Sequence, residues 1–269
     1  MSATAVSVTW WGHASVTVEI EGTRLLLDPL FTRSLAHLRR QGSAVPGPQS
    51  RTADAVLVSH LHADHLHLPT LRSLSPATPI VAPRGALALL RRRAPELCDR
   101  VEEISAGHSV RIGAAEVSAV PASHDGRRHP WSRFSAPALG YLLGVDGRPL
   151  VWFAGDTGLF GAIGDFGPVA IALVPVGGWG PTLGPDHLDP AQAAAAVGRV
   201  GARDAVPVHY GTFWPAGLRW VHPAGYRRRF REPGERFADE LAALSATSGT
   251  VRRPHLLRPG QTVTLEVEA

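Results

Sequence analysis

The stretch VLVSHLHADHLHLPTL at residues 56–71 constrains this chain more than any other feature of its sequence. An apolar run, typical of a buried strand, breaks into four histidines and one aspartate within eight residues. Imidazole and carboxylate groups are good ligands for zinc and similar divalent ions. In an extended segment the rings of His60 and His62 point the same way, whereas the adjacent Asp64 and His65 diverge. The spacing therefore favours two neighbouring metal ions over one, and it argues against a histidine-rich surface loop.

Three further predicted strands end in a side chain that can bind a metal ion. His124, Asp156 and His209 each follow an apolar run, and each precedes a glycine by two residues. Loops of this kind hold functional groups on a rigid sheet. Taken alone, His124 or His209 would more often be a structural histidine. Together with residues 60–65, they predict that ligands from several strand ends meet at one metal site.

The hydrophobic pattern predicts strands in both halves of the chain, with helices after some of them. The predicted helices cover residues 68–74, 83–93, 190–200 and 232–246, and a Gly/Pro/Ser-rich loop is expected at 34–51. This alternation predicts an α/β fold in which two mixed β-sheets pack face to face with helices outside, a four-layer αββα sandwich. No change in composition marks a linker, so we expect a single domain over residues 1–269.

The composition fits an ordinary globular protein, with 44% hydrophobic and 19% charged residues. No apolar run is long enough for a transmembrane helix, and the N-terminal residues lack the features of a secretory signal. Cys98 is the single cysteine, which excludes an intrachain disulfide. These features predict a cytoplasmic location. The arginine clusters at 91–93 and 227–229 lack aromatic interleaving or a nucleic-acid motif, so no nucleic-acid partner is expected.

Six short motifs together make the chain recognisable. They are HxHxDH at 60–65, WGHAS at 11–15, LLDP at 26–29, WFAGDTG at 152–158, HLDPAQA at 187–193 and HYGTF at 209–213. With these motifs the chain resembles the metallo-β-lactamase-fold hydrolases over nearly its whole length. Within that superfamily it is similar to the branch that contains N-acyl-phosphatidylethanolamine phospholipase D and the L-ascorbate-6-phosphate lactonases.

The resemblance implies a site with two divalent ions, for which zinc is favoured and manganese or iron(II) are alternatives. The residues implied to bind the first ion are His60, His62 and His124, and those implied to bind the second are Asp64, His65 and His209. Asp156 is implied to bridge the two ions. A water shared by two cations loses a proton near neutral pH and becomes the nucleophile. Asp64 is expected to orient this nucleophile as well as to bind the metal.

Other residues around the ions are expected to support them or to act on the substrate. Asp28 is interpreted as a partner of a ligand imidazole, with a turn-forming aspartate as the alternative. His13 is expected under the site, where it either bonds toward the metals or is a buried structural histidine. His187 is implied to act as a general acid or electrostatic group, with an ordinary loop histidine as the alternative.

Substrate contacts are predicted from residues that flank the ligands. Arg127 and Arg128 follow His124 closely and would suit a phosphate or carboxylate group. Tyr210 is expected to face the site. Tryptophans in glycine- or proline-flanked loops either wall a substrate pocket or pack those loops, and these are Trp131, Trp179 and Trp214.

The leading functional prediction is a metal-dependent hydrolase, with a phospholipase D-like phosphodiesterase favoured. The expected substrate is a small or lipid-like molecule, and no stable membrane insertion is expected. One alternative is a lactonase acting on a phosphorylated or acidic sugar-type substrate. A second alternative, from a different class, is a mononuclear iron dioxygenase on the same fold. The sequence leaves assembly into a homo-oligomer open.

Overall fold

The computed structural model describes residues 3–178 and 183–268, in which two large β-sheets dominate. Strands and helices are numbered in chain order. The first sheet has seven strands, in the spatial order β17 (Gln261–Val267), β1 (Thr4–Gly12), β2 (Ser15–Ile20), β3 (Thr23–Leu27), β6 (Ala55–Leu57), β7 (Ile80–Pro83) and β8 (Val101–Ile104). The strands from β17 to β3 pair antiparallel, and those from β3 to β8 pair parallel.

The second sheet also has seven strands and the same mixture of pairings. Its order is β16 (Arg253–Pro254), β14 (Asp204–Val208), β13 (Ile171–Pro175), β12 (Arg148–Phe153), β11 (Leu139–Val145), β10 (Ala115–Pro121) and β9 (Ser109–Ile112). The strands from β9 to β12 pair antiparallel, and those from β12 to β16 pair parallel. A small third sheet contains β15 (Phe213–Pro215), β5 (Leu38–Arg40) and β4 (Ser34–Leu35).

Helices connect several of these strands. The α-helices are α1 (Leu68–Arg72), α2 (Ala86–Arg93), α3 (Pro190–Arg199), α4 (Leu218–Val221), α5 (Pro223–Tyr226) and α6 (Pro233–Ser248). Short 3-10 helices cover Pro48–Arg51, Pro95–Arg100 and Gly161–Phe166, and a π-helical turn covers Arg227–Arg231. No helix within the described part of the chain combines the length and the apolar character needed to cross a bilayer.

Strand alternation explains the layered core, because successive side chains of a strand point to opposite faces of its sheet. In β13, Ile171 and Leu173 lie in the core between the two sheets, whereas Ala172 and Val174 pack outward with α3 and α6. In β3, Leu26 likewise faces outward, where it belongs to the cluster that includes residues of α1 and α2. The result is the predicted four-layer αββα sandwich, which the structure confirms.

The main departures from the predicted elements are local. The strand β7 continues through Pro83, and α2 begins at Ala86 rather than at residue 83. The intervening Gly85 has φ +112°, which is incompatible with an α-helix, so α2 begins after it. A Cβ at this position would lie 2.9 Å from the Ser135 carbonyl oxygen, which favours glycine there. The loop predicted at 34–51 contains β4, β5 and a 3-10 helix.

The predicted site residues follow the ends of strands in both large sheets. In the first sheet, β1 leads to His13, β3 to Asp28 and β6 to His60. In the second sheet, β10 leads to His124, β12 to Asp156 and β14 to His209. Rigid elements therefore deliver side chains from both sheets to one region.

Candidate metal centre

Three imidazoles form the first ligand group. The Nε2 atom of His60 lies 2.9 Å from Nδ1 of His62, which lies 3.2 Å from Nε2 of His124. Burial lowers the pKa of His62 to about 4, although the charge of Asp64 opposes the shift, so this ring is neutral near pH 7. The three imidazoles therefore present ring nitrogens to a common space, and at least one of the rings is neutral. This arrangement suits a divalent ion.

A second ligand group adjoins the first and mixes imidazoles with a carboxylate. The Nε2 atoms of His65 and His209 are 3.3 Å apart. The Oδ2 atom of Asp64 lies 3.5 Å from the His65 nitrogen and 3.6 Å from that of His209. All three side chains are buried, which fixes them in place.

Asp156 lies between the two groups. Its Oδ2 is 3.3 Å from Nε2 of His65 and 3.2 Å from Nε2 of His209. Asp156 also shares a space with His60, because the ligand atoms of His60, His65 and Asp156 all lie within 4.8 Å of one another. The Asp156 Oδ1 is buried and has no hydrogen-bond partner among the described residues. An unpaired buried carboxylate oxygen is costly, so its environment fits a cation.

The electrostatics of the centre also favour a cation. Burial disfavours the carboxylate of Asp156, but His209 and His65 outweigh this effect and hold its pKa well below the usual value. Conversely, burial lowers the pKa of His65, but Asp156, Asp64 and Asp28 outweigh it and raise that pKa well above 6.5. Asp156 similarly raises the pKa of His209 to about 9 against the effect of burial. Divalent cations would supply the positive charge that these carboxylates require, with the imidazoles neutral.

Asp28 organises one wall of the centre. Its Oδ2 lies 2.7 Å from Nδ1 of His65 and accepts a hydrogen bond from the Ser59 hydroxyl at 2.5 Å. Its Oδ1 accepts the Ser59 backbone N–H at 2.7 Å. The Ser59 Oγ is also 2.9 Å from Nδ1 of His60. Ser59 thus links ligands of both groups, and sequence reasoning missed it, although a serine at the end of an apolar strand was an available signal.

His13 contacts the Asp64 carboxylate directly. Its Nε2 lies 2.8 Å from Oδ2 of Asp64, and its ring packs on that of His209 with centroids 4.1 Å apart. Burial, with the charge of His209, lowers the pKa of His13 to about 4, so the neutral ring donates an N–H to the carboxylate. The His13 backbone N–H donates to the Thr212 hydroxyl, a second supporting residue that sequence reasoning missed.

Comparison with known proteins identifies the family of the chain. The Beta-lactamase superfamily domain matches residues 23–210. The chain belongs to the β-lactamase superfamily. A UPF0173 metal-dependent hydrolase of Methanopyrus kandleri is 31% identical over 84% of this chain and 92% of that protein. The N-acyl-phosphatidylethanolamine-hydrolyzing phospholipase D of Saccharomyces cerevisiae is 30% identical over 80% of this chain, but only 49% of the relative is covered.

A solved structure shows the same fold. The metallo hydrolase Igni18 from Ignicoccus hospitalis matches with a TM-score of 0.71 and 22% identity, covering 98% of this chain and 100% of that one. This likeness concerns the fold. The predicted family and fold are therefore confirmed, and the chain is a metal-dependent hydrolase of the metallo-β-lactamase fold.

Three residues of the candidate metal centre have a strained backbone conformation. His13, Asp28 and His209 have φ values of 55°, 43° and 62°, in the left-handed region that favours glycine. Each follows the end of a strand, and each side chain contacts the ligand cluster. Such strain persists only where the surrounding structure compensates for it, as it does at functional sites.

His187 lies at the edge of the candidate metal centre, where its ring nitrogen and the ligand atoms of His124 and Asp156 all lie within 4.8 Å of one another. Its Nδ1 donates to the Leu183 carbonyl oxygen at 2.9 Å, which turns Nε2 toward Asp156 at 3.7 Å. Its ring packs edge-on against His124, with centroids 4.8 Å apart. Burial lowers the pKa of His187, although the charge of Asp156 opposes the shift.

The residues predicted to bind substrate occupy three different environments. The Nη1 atom of Arg128 donates to the carbonyl oxygens of Leu61 and Leu66, both at 2.8 Å. Arg127 pairs with Asp125 at 2.8 Å on the surface. Tyr210 stacks on Trp10, and burial raises the pKa of Tyr210 to about 12. Their roles toward substrate stay predictions.

The predicted loop tryptophans also differ from one another. Trp214 packs edge-on against Tyr226 and Phe230 and lines a cavity beside the metal centre. Trp131 is 90% exposed. Trp179 lies outside the described residues.

Proposed function

We propose that this β-lactamase-superfamily hydrolase is dinuclear, uses zinc, and cleaves phosphodiester bonds in a phospholipase D-like reaction. The position of Asp156 carries the proposal, because its carboxylate lies among ligand atoms of both groups. Imidazole-rich groups favour zinc over the hard ions magnesium and calcium, which prefer oxygen ligands. A mononuclear iron site would occupy one ligand group and leave the other without a metal ion.

The ligand roles follow from the two groups. His60, His62 and His124 would hold one ion, Asp64, His65 and His209 the other, and Asp156 both. Divalent ions held here would supply a nucleophilic hydroxide near neutral pH and stabilise negative charge on the phosphoryl oxygens.

The remaining residues contribute through position and proton placement. The neutral His13 donates to Asp64 and so fixes the direction in which this carboxylate can accept a proton. The Nε2 of His187 faces the cluster because Nδ1 is held by Leu183. In the neutral ring Nε2 is therefore a hydrogen-bond acceptor at the edge of the site, and once protonated it would donate a hydrogen bond that stabilises a leaving group.

A cavity of ≈570 Å³ beside the second ligand group supports a substrate with an apolar part. It touches His13 and His209, and its other walls are largely apolar, with Phe213, Trp214 and Phe230 among them. Arg229 also lines it and would attract an anionic group. An amphiphilic phosphodiester fits this lining, and the similarity to a phospholipase D over 80% of this chain agrees with it.

The test combines metal content with a substrate panel. We expect two zinc ions per chain and hydrolysis of phosphodiesters with an apolar substituent, while Asp64→Ala loses activity by about 100-fold or more. Preferential hydrolysis of lactones would instead identify a lactonase. A single iron with oxygen consumption would replace the proposal by a dioxygenase. Less than one metal ion per chain, with no hydrolysis, would refute it.

A further inference from the structure

A second cleft, of ≈520 Å³, lies behind the loop that carries residues 60–66. Its walls come from the last turn of α2 and from residues 128–134. None of the proposed metal ligands is among the residues that line it. The cleft is therefore separate from the catalytic centre and has no part in the proposed function.

The lining of this cleft is strongly cationic. Arg92, Arg93, Arg128 and Arg133 line it, and no aspartate or glutamate is among the described lining residues. Elsewhere on the protein, arginines such as Arg72 and Arg253 form ion pairs. Within residues 3–178 and 183–268, by contrast, Arg92, Arg93 and Arg133 have no carboxylate within 4.0 Å.

Mutual repulsion among these guanidinium groups is a cost that an anion would remove. Planar guanidinium groups bind phosphate oxygens in pairs, so several around one cleft suit a ligand with more than one phosphate.

Aromatic groups stand next to the arginines. Trp131 is 90% exposed and lines the cleft, as does Phe134, over which the Arg133 guanidinium lies at 5.1 Å. An indole exposed at the surface beside cationic groups offers a flat face for a heterocyclic base.

We propose that this cleft binds a nucleoside diphosphate or triphosphate, with the phosphates among the arginines and the base on Trp131. The volume lies within the range of small-molecule sites. Arg128 forms the inner wall and also holds the metal-bearing loop through Leu61 and Leu66. It is therefore left intact in the test.

The experiment is calorimetric titration of the metal-loaded protein with ADP, pyrophosphate and inorganic phosphate. The test variant is Arg92→Ala/Arg133→Ala, and the matched control is Arg91→Ala/Arg111→Ala, which removes two exposed arginines outside the cleft. We expect the test variant to bind ADP and pyrophosphate about tenfold or more weakly than wild type, and the control to match wild type. Trp131→Ala should weaken the binding of ADP but not that of pyrophosphate.

Metal content and hydrolysis of a small phosphodiester are measured on the same samples, because nucleotides also chelate metals. Both double variants should retain the metal content and the hydrolysis rate of wild type. Because the cleft is tested by ligand binding, absence of hydrolysis in all samples would refute the proposed function but not the cleft proposal. Equal ADP affinity in the two double variants would overturn it, as would no binding at about 1 mM ligand. Binding to phosphatidylglycerol vesicles is measured as well. If that binding depended on Arg92 and Arg133 while binding of free phosphates did not, the ligand would be a lipid surface and the proposal would be wrong.

Discussion

Asp28 illustrates how one carboxylate can set the geometry of a whole centre. It is fully buried, and it contacts the Ser59 backbone N–H, the Ser59 hydroxyl and the His65 ring. The bond to Nδ1 of His65 turns Nε2 toward the second ligand group, and the serine extends the same control to His60. Partners of this kind fix the tautomer and the orientation of ligand imidazoles.

Replacement of Asp28 should therefore weaken metal binding without removing a ligand. In Asp28→Asn the negative charge is lost, and an amide N–H faces groups that themselves donate. We expect metal affinity and activity to fall by about 10–100-fold. Zinc affinity is measured by competition with a chromophoric chelator, with the exposed Asp165→Asn as control. Unchanged zinc affinity would show that Asp28 is a turn-forming residue.

Arg128 and Arg127 provide a matched pair, because they are adjacent but contact different partners. Arg128 crosslinks the two ends of the metal-bearing loop, whereas Arg127 pairs with the surface residue Asp125. We expect Arg128→Ala to lower zinc affinity by about tenfold and Arg127→Ala to leave it unchanged. If Arg128→Ala instead raised KM for anionic substrates at constant zinc affinity, its role would be substrate binding.

The clustering of the candidate ligands was easier to predict from the sequence than the contacts that hold them in place. His60, His62, Asp64 and His65 are close in the chain, so their spacing alone indicates shared chemistry. By contrast, Arg128 reaches Leu61 across 67 positions, and His13 reaches Thr212 across 199. Such partners are chosen by the packing of strands and loops that no local pattern contains.

At the level of elements, long strands with alternating burial were predicted well, because hydrophobic periodicity determines them. The short strands β4, β5 and β15 were not predicted. The pairing of Phe213 with Arg40 joins distant segments, and each strand has only two or three residues. Edge pairing of this kind depends on tertiary contact rather than on local propensity.

The strand β14, which leads to His209, is secured at its other end by Asp204. The Arg253 guanidinium donates to both carboxylate oxygens at 2.8 and 2.7 Å, and the His255 ring lies 2.7 Å from Oδ1. Asp204 is 5% exposed, so its charge depends on these partners. We expect Asp204→Asn to reduce the free energy of unfolding by about 1–3 kcal/mol, measured by denaturation in urea.

The pH dependence of this effect has a defined sign. Burial alone would raise the pKa of Asp204, but the bonds from Arg253 and His255 outweigh it and lower that pKa. A carboxyl with a lowered pKa stabilises the folded state fully above about pH 4 and loses this contribution as the pH falls through the lowered value. The difference between wild type and Asp204→Asn should shrink below pH 4. A constant difference, or an equal effect from the exposed Asp239→Asn, would contradict the assignment.

For the whole molecule, the decisive fact is that each ligand group draws on both sheets. His60 and His62 follow β6 of the first sheet and meet His124, which follows β10 of the second. Direct bonds also join the sheets at this edge, since the Tyr141 hydroxyl donates to the Val58 carbonyl oxygen at 2.7 Å. Bound ions would therefore crosslink the two halves of the sandwich where many polar groups are buried.

Removal of metal should consequently destabilise the whole fold. At a free ion concentration of about 100 times Kd, one site stabilises a protein by about 2.7 kcal/mol, which corresponds to about 5–10 °C in Tm for a domain of this size. We expect a chelator to lower Tm by at least this amount. Zinc should restore Tm, whereas magnesium and calcium should not, because imidazole ligands suit them poorly.

Hydrogen exchange locates the effect of metal removal. Loss of the crosslink should raise exchange at the ends of β6, β10, β12 and β14 together, while the opposite ends of the same strands retain protection. Faster exchange confined to one sheet would show that the ions are held by that sheet alone. A chelator that strips the metal without changing Tm would show that direct bonds such as the one from Tyr141 suffice, because the ions would then add nothing to the cohesion of the two sheets.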